Sequence, residues 1–533
     1  MRTYKMKTIG SVTAIGLALL LAGGSAQAME INTESVQGDF TSTLSTGFQY
    51  SLDELEPNIN SNLNGTNRAN YDKNSIVSWS IKGIHELNLN FPNEWAFFGR
   101  FDWISDQRLD KTRTPLSPAA QDKVESDVRL LDLFVEKGYE IGEQYGRVRL
   151  GNQVINWGES LFFFGGINYA TNPVDINRAT LPGGQIKEFL LPVPMISVSQ
   201  GIKEGLGFEA YYQFDWESHE FPPVGTFWST SDFIGDGNIV TDPDILGGYE
   251  DKPSNSGQFG ISVKWTPEGS ETEYGFYAAN YHEKFPWFGW DARQNVGDRL
   301  GIGTDNPRLF HTFAEDIQLY GVSASTDVGE WAVGGELSYR PNDVIATDPF
   351  GDCLGDALGQ LGTAAARQNV CLREQKRWGF DVTAINILQP NGQLGWLLNA
   401  LGGDTGFAFV EVAGFYFPDL DPVDTDALVA LGEDGKFAWG LAAELDVSYE
   451  GSLIKGWTVT PGVFYRWGVS GSSQELLGWW RDGAQEANVF VNFTHSELDL
   501  TFTIQYLPFW GTPAAIVDNR DKDVLAASVF YTF

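Results

Sequence analysis

The chain has 533 residues, with 70 acidic against 35 basic, for a formal net charge of −35. That balance excludes nucleic acid as a partner, since binding phosphate needs a basic face; it fits acidic loops that face divalent cations, and equally an acidic soluble protein. No segment beyond the first 28 residues offers 18 consecutive apolar side chains, so helical membrane spans are not expected.

Residues 1–28 have the layout of a signal peptide: Arg2, Lys5 and Lys7, then an apolar run from Ile9 to Leu21, then Ser25-Ala-Gln-Ala28 with its Ala-x-Ala ending. The apolar run is too short to span a bilayer, so cleavage after Ala28 is expected. Removal takes three of the 35 cations and none of the 70 acids, leaving a mature charge of −38. No Ser/Pro linker or low-complexity boundary divides residues 29–533, which points to one large closed architecture rather than several domains.

Along this stretch apolar and polar side chains alternate in runs of roughly ten residues, the period of a strand with one face to each side. Val77, Trp79, Ile81, Leu87 and Leu89 oppose Ser78, Ser80, Lys82, Glu86 and Asn88; after a tight turn, Trp95, Phe97, Phe101 and Trp103 oppose Arg100 and Asp102. Continuing in order, strands are expected near 38–50, 74–90, 95–104, 126–139, 144–156, 193–202, 206–216, 256–266, 272–283, 314–326, 331–341, 376–388, 404–416, 437–450, 457–467, 487–494, 497–507 and 523–533. That makes 18, with an uncertainty of about two that leaves the even parity intact. Strands of about ten residues suit a tilted membrane crossing, whereas those of soluble sheets have a mode of about five or six.

Short turns such as Lys203-Glu-Gly205 alternate with connections of 14 to 39 residues, the asymmetry of barrels with short periplasmic turns and long external loops. One short-turn position is longer: Gln389 to Gly403 contains Leu394-Gly-Trp-Leu-Leu-Asn-Ala-Leu401, read as a small helix at the periplasmic mouth or as a misread strand pair. At the C-terminus Phe533, Tyr531, Val529, Ala527 and Leu525 form an apolar stripe that resembles the signal read by the outer-membrane assembly machinery. An aromatic content of 14% supplies Trp and Tyr for interfacial girdles.

With the apolar face outward, Arg100, Asp102, Arg147, Arg149, Gln153, Glu209, Gln213, Asp215, Lys264, Glu336, Arg340, Glu444, Asp446 and Arg466 should face the lumen. Both charge signs are present, which fits ion pairs that hold the barrel's shape or a selectivity lining that meets solute. The connection 157–192 carries Leu161, Phe162, Phe163, Phe164, Ile167, Tyr169, Leu181 and Phe189, too apolar for a solvated loop; Asn168, Asn172 and Asp175 among them can brace turns. It is expected to fold inward, either as a plug or as an apolar path within that plug. Arg149, Gln153, Trp157, Glu159, Phe162, Phe163, Phe164, Asn168 and Asp175 are the candidate path or gate residues.

Cys353 and Cys371 lie close together in an exported chain, so a loop disulfide is expected and a metal site is not. Five histidines, with no Gly-x-Ser-x-Gly or paired-His motif, give no recognisable catalytic set, so neither catalysis nor a cofactor is expected.

The run Arg149-Leu-Gly-Asn-Gln-Val-Ile-Asn-Trp-Gly-Glu-Ser160, followed by Asn168, Asn172-Pro-Val-Asp175 and Pro223-Val-Gly-Thr-Phe-Trp228, resembles the bacterial family catalogued as domain of unknown function 1302. Its most specific part is Gln153-x-x-x-Trp157-Gly-Glu-Ser160; the chain departs from the pattern at Asn152, where Arg is expected. The resemblance implies a Gram-negative outer-membrane barrel. It also implies association with a periplasmic lipid-handling partner, of the family catalogued as domain of unknown function 1329, and with an inner-membrane transporter of the resistance-nodulation-division type. The combined expectation is an all-β transmembrane antiparallel barrel in the cell outer membrane, among its lipids, aiding passage of a hydrophobic or amphipathic small molecule. The alternatives are a general diffusion porin and a sealed structural or adhesion barrel.

Overall fold

The computed structural model describes residues 28–53, 70–163, 165–229, 231–242, 245–298, 305–420, 436–472, 480–512 and 519–533. The expected signal peptide, apart from Ala28, lies outside the described residues, as does Phe164. Among the described residues, 18 long antiparallel strands form the wall: β1 (Gln37–Ser51), β2 (Ile76–Phe91), β3 (Trp95–Asp106), β4 (Asp127–Ile141), β5 (Gln144–Gln153), β6 (Val193–Lys203), β7 (Leu206–Gln213), β8 (Phe259–Trp265) and β9 (Glu273–Tyr281), then β10 (Ile317–Val328), β11 (Trp331–Ala346), β12 (Leu372–Leu388), β13 (Thr405–Tyr416), β14 (Phe437–Ile454), β15 (Trp457–Ser470), β16 (Ala484–His495), β17 (Leu500–Leu507) and β18 (Val524–Thr532).

Each strand pairs with its neighbours in the chain, and β18 returns to β1 with Val524 opposite Ser51 and Thr532 opposite Thr43. The sheet therefore closes, which leaves no edge with unpaired backbone and lets strands cross lipid. Outward side chains such as Leu150, Ile261, Val322, Val382, Val489 and Ile504 are 40–49% exposed around the whole circumference. An apolar belt that open to its surroundings needs hydrocarbon against it.

The expected strands are all present, with shifted ends. The run expected from 497 starts instead at Leu500, because Ser496–Leu498 makes a 3-10 turn that ends on Asp499 at φ +47°. At the other extreme, β11 continues past the expected stop to Ala346 by accommodating Pro341 in a bulge between Arg340 and Asp343. Proline has no N–H to give to a ladder. Pairing of β10 with β11 accordingly ends at Tyr320 opposite Tyr339, and the Asn342 side chain takes over, accepting from the Gln318 N–H at 2.9 Å and donating to the Asp316 carbonyl at 2.9 Å.

The short-turn end holds a helix at Gly395–Leu401, within the connection read as a helix or a misread strand pair. Over the long-loop end lies a cap that the strand pattern gave no sign of. Segments Glu250–Asp251, Trp287–Asn295, Pro307–Thr312 and Gln368–Val370 form a second, four-stranded sheet. Its core contains Phe221, Phe233, Trp287, Trp290 and Leu309. The helix Asp352–Gln360 packs on it, and Cys353 is bonded to Cys371. The aromatic stretch Phe285–Trp290 is buried inside this cap.

Candidate functional site

Beyond Gln153 the chain leaves β5 and turns into the lumen, so the site is built from residues 154–192 against the inward faces of distant strands. Trp157 is buried, donates its indole N–H to Glu209 at 2.7 Å, and packs on Tyr211 and Tyr277. The wall makes room with glycine: a Cβ on Gly260 of β8 would lie 2.8 Å from the Trp157 ring, and one on Gly321 of β10 would lie 2.7 Å from Ile167.

The turn after Gly158, itself at φ +91°, is held by two carboxylates of the opposite wall. Glu336 on β11 accepts from the N–H groups of Glu159 (2.7 Å) and Ile167 (2.8 Å). Glu411 on β13 accepts from Leu161 (2.9 Å), Phe162 (2.9 Å), Phe163 (3.4 Å) and the Ser160 hydroxyl (3.2 Å). These otherwise orphaned donors find charged acceptors in a water-poor place, where such bonds are worth more than neutral ones. Arg340, fully buried, ties the same turn by donating to the Gly166 carbonyl (2.7 Å) and to the Tyr281 hydroxyl (2.8 Å).

The second half of the segment is held by charge. Asp175 caps the short helix Ile176–Thr180 by accepting from Arg178 N–H (2.7 Å), and it pairs with Arg129 of β4. Arg129 also grips Asp102 of β3 at 2.7 Å, while Arg178 reaches Asp127 at 3.0 Å. Lys82 of β2 meets Glu188 at 2.9 Å with both side chains almost fully buried, and Lys187 meets Glu86 at 2.5 Å. The segment thus bridges the lumen, from β2–β4 on one side to β11 and β13 on the other.

Among the candidate gate residues, roles separate. Gln153 braces the end of its strand, donating to Met195 carbonyl (3.0 Å) and accepting from Ser197 (2.7 Å). Arg149 lies lower on the wall, paired with Glu136 at 2.8 Å and stacked over Phe134. Glu159 accepts from Ser323 (3.0 Å) and sits 3.6 Å from Lys264. Phe163 is buried between Phe415 and Trp480, and Asn168 donates to the Phe163 carbonyl. Phe162 differs: its ring, 44% exposed, leans on Phe409 and Phe464 at centroid distances of 5.0 Å each.

Of the expected lumenal charges, Arg100 bridges Glu86 (2.7 Å) and Asp132 (2.6 Å), Arg466 pairs with Glu486 (2.8 Å), and Arg147 lies half exposed, 3.9 Å from Glu136. Sequence reasoning missed Glu411, Glu188, Arg129 and Arg178 as anchors. For Glu411 a signal existed: it is the single charged residue in Thr405–Tyr416. The histidines of the long-loop side serve backbone, with His219 Nδ1 accepting from Val174 N–H at 2.9 Å and His282 Nδ1 from Asp316 N–H at 3.0 Å.

The family described as "Protein of unknown function (DUF1302)" matches residues 9–533. No curated protein matches the chain. Among solved structures, a BenF-like porin from Pseudomonas fluorescens Pf-5 is 9% identical over 93% of this chain and 98% of that one, with a TM-score of 0.43. OccAB1 of Acinetobacter baumannii is 11% identical over 95% and 99%, with a TM-score of 0.42. OpdK of Pseudomonas aeruginosa, in a structure with vanillate, is 10% identical over 93% and 98%, also with a TM-score of 0.42.

Proposed function

The chain belongs to the DUF1302 family, and from that premise and the lumen just described we propose that it is an outer-membrane channel for a hydrophobic or amphipathic small molecule in a Gram-negative bacterium. The observation that carries this reading is Phe162. Among the described aromatic rings of the inward segment, Trp157 and Phe163 are buried and Tyr169 and Phe189 half-buried, whereas this ring is 44% exposed beside two further lumenal rings. Full burial of such a ring is worth about 1.5–3 kcal/mol, and at 44% exposure a share of that is left unrealised, which an apolar solute passing over it would supply. The structural or adhesion alternative has no use for an open aromatic step, and a general diffusion pore has no need of one.

The barrel itself acts as a passage, not a catalyst. A periplasmic lipid-handling partner and an inner-membrane transporter would receive or supply the solute, which is too insoluble to cross the periplasm freely.

The test is reconstitution with a matched deletion strain. Purified protein should give small, closed-state currents in planar bilayers, and loss of the gene should change uptake or export of alkanes, fatty acids or sterols. Steady open-pore conductance together with unchanged traffic of all three classes and of amphiphiles with a charged head would refute the proposal.

A further inference from the structure

On the wall facing Phe162, aromatic rings and carboxylates interleave. In the register of the sheet Glu444 on β14 stands directly between Phe409 on β13 and Phe464 on β15. Those are the two rings on which Phe162 leans, so Glu444 occupies the strand position between two aromatic residues that share a third. Asp446, two residues along on the same face, stands between Phe407 and Gly462, and the Phe490 ring covers Gly462 so closely that a Cβ there would lie 2.3 Å from it.

Two features coincide at these acids, the absence of an ion pair among the described residues and partial exposure to the lumen; Asp381 of β12 also lacks an ion pair but is buried, and Asp446 accepts a hydrogen bond from the Phe407 backbone. The lumenal carboxylates Glu86, Asp102, Asp132, Glu136 and Glu188 all have ion pairs, and Glu336 and Glu411 are occupied by backbone N–H groups. Among the described residues neither Glu444 nor Asp446 has an ion-pair partner. Arg466, on the same face of β15, stands opposite Ala442 instead and is engaged by Glu486. Both acids remain partly exposed to the lumen.

We infer that Phe162, Phe409, Phe464, Glu444 and Asp446 form a binding site for the cationic head of an amphiphile, an organic ammonium carried on an apolar body. Ring faces attract a cation through their quadrupoles, and the two carboxylates add charge that no cation among the described residues pairs with. The apolar body gains by covering Phe162. A carboxylate-headed amphiphile would meet like charge at the same place, so the site selects against fatty acids. This inference rests on the channel reading above and specifies its substrate class.

The experiment uses the full barrel in nanodiscs and three probes with the same six-carbon tail, hexyltrimethylammonium, hexanol and hexanoate, with binding to protein-free discs subtracted. Hexyltrimethylammonium should bind at least about tenfold tighter than hexanoate. The double variant Glu444→Gln, Asp446→Asn should lose that preference while still binding hexanol, and Phe162→Ala should weaken all three probes. Glu497→Gln, which removes an exposed carboxylate in a short turn, should change nothing and controls for the overall negative charge. Heat-modifiable migration in gels verifies that each variant is folded. Equal binding of hexanoate, or a preference that survives in the double variant, would overturn the inference. Passage of hexanol into liposomes is followed separately: if it fails while the cation preference holds, the channel reading falls and the site stands.

Discussion

Lys284 is fully buried just beyond β9, where its Nζ donates to the carbonyls of Tyr169 (3.1 Å) and Ala170 (3.3 Å). Burial pushes its ammonium down from an ordinary 10.5 to about 7, with Glu283 opposing the shift and Arg340 adding to it. A neutral amine has two N–H donors, and two carbonyls are what it meets. Between pH 7 and 10.5 the unfolded chain binds more protons at this residue than the folded one, so its contribution to stability grows as pH rises through that window. The thermal unfolding midpoint of the wild type should therefore climb from pH 7 to pH 10 more steeply than that of Lys284→Met, which should be less stable throughout but flatter. Parallel pH curves would refute the assignment. Glu411 makes a second residue-scale case. Glu411→Ala strands three N–H groups at about 1–3 kcal/mol each, enough to free the turn. Single-channel recordings should then show larger, fluctuating currents from a barrel that still migrates as folded in gels.

At the scale of elements, the segment 154–192 and the strands are fitted to one another by size as well as charge. Gly260 and Gly321 are strand positions where glycine would ordinarily weaken a sheet, and both face atoms of the inward segment. Gly321→Val should leave β10 itself intact, since valine favours strands, but it cannot coexist with Ile167 where that side chain now lies. The expected result is faster protease cleavage between Gly158 and Asn168 with an unchanged far-UV spectrum. If cleavage stays at the wild-type rate, the glycines are not what receives the segment. Charge acts on the other half: because Lys82 and Glu188 are both buried, each depends on the other to avoid an uncompensated charge, which typically costs about 3–5 kcal/mol.

For the whole molecule, closure between β1 and β18 makes the wall independent of what fills it. The wall's ladder closes through its own strands, and neither the inward segment nor the cap, whose four strands form a separate sheet, adds a strand to it. Replacing Glu159–Leu190 by a short Gly/Ser linker should therefore give a folded barrel whose bilayer conductance rises several-fold, a size to be expected once a lumen-crossing segment is gone. An unaltered conductance would mean that the cap, with its separate core and its Cys353–Cys371 bond, is the actual barrier.

The sequence by itself determined the wall. A period of two, strand lengths matched to a bilayer and alternating short and long connections are properties of neighbouring residues, so the 18 strands and the inward direction of Arg100, Glu336 and Glu444 were legible without a fold. Strand ends were less so, since Pro341 reads as a stop until a neighbour's side chain replaces the lost hydrogen bond. Only the tertiary structure decided what the inward segment does. Leu161 meets Glu411 across 250 residues of chain, and Lys82 meets Glu188 across 106. No local pattern records such meetings, because they arise from strands brought around a closed ring. The same closure separated Phe162 from Phe163, adjacent residues of one type, by burying the second against Phe415 and Trp480 and leaving the first open beside an unpaired carboxylate.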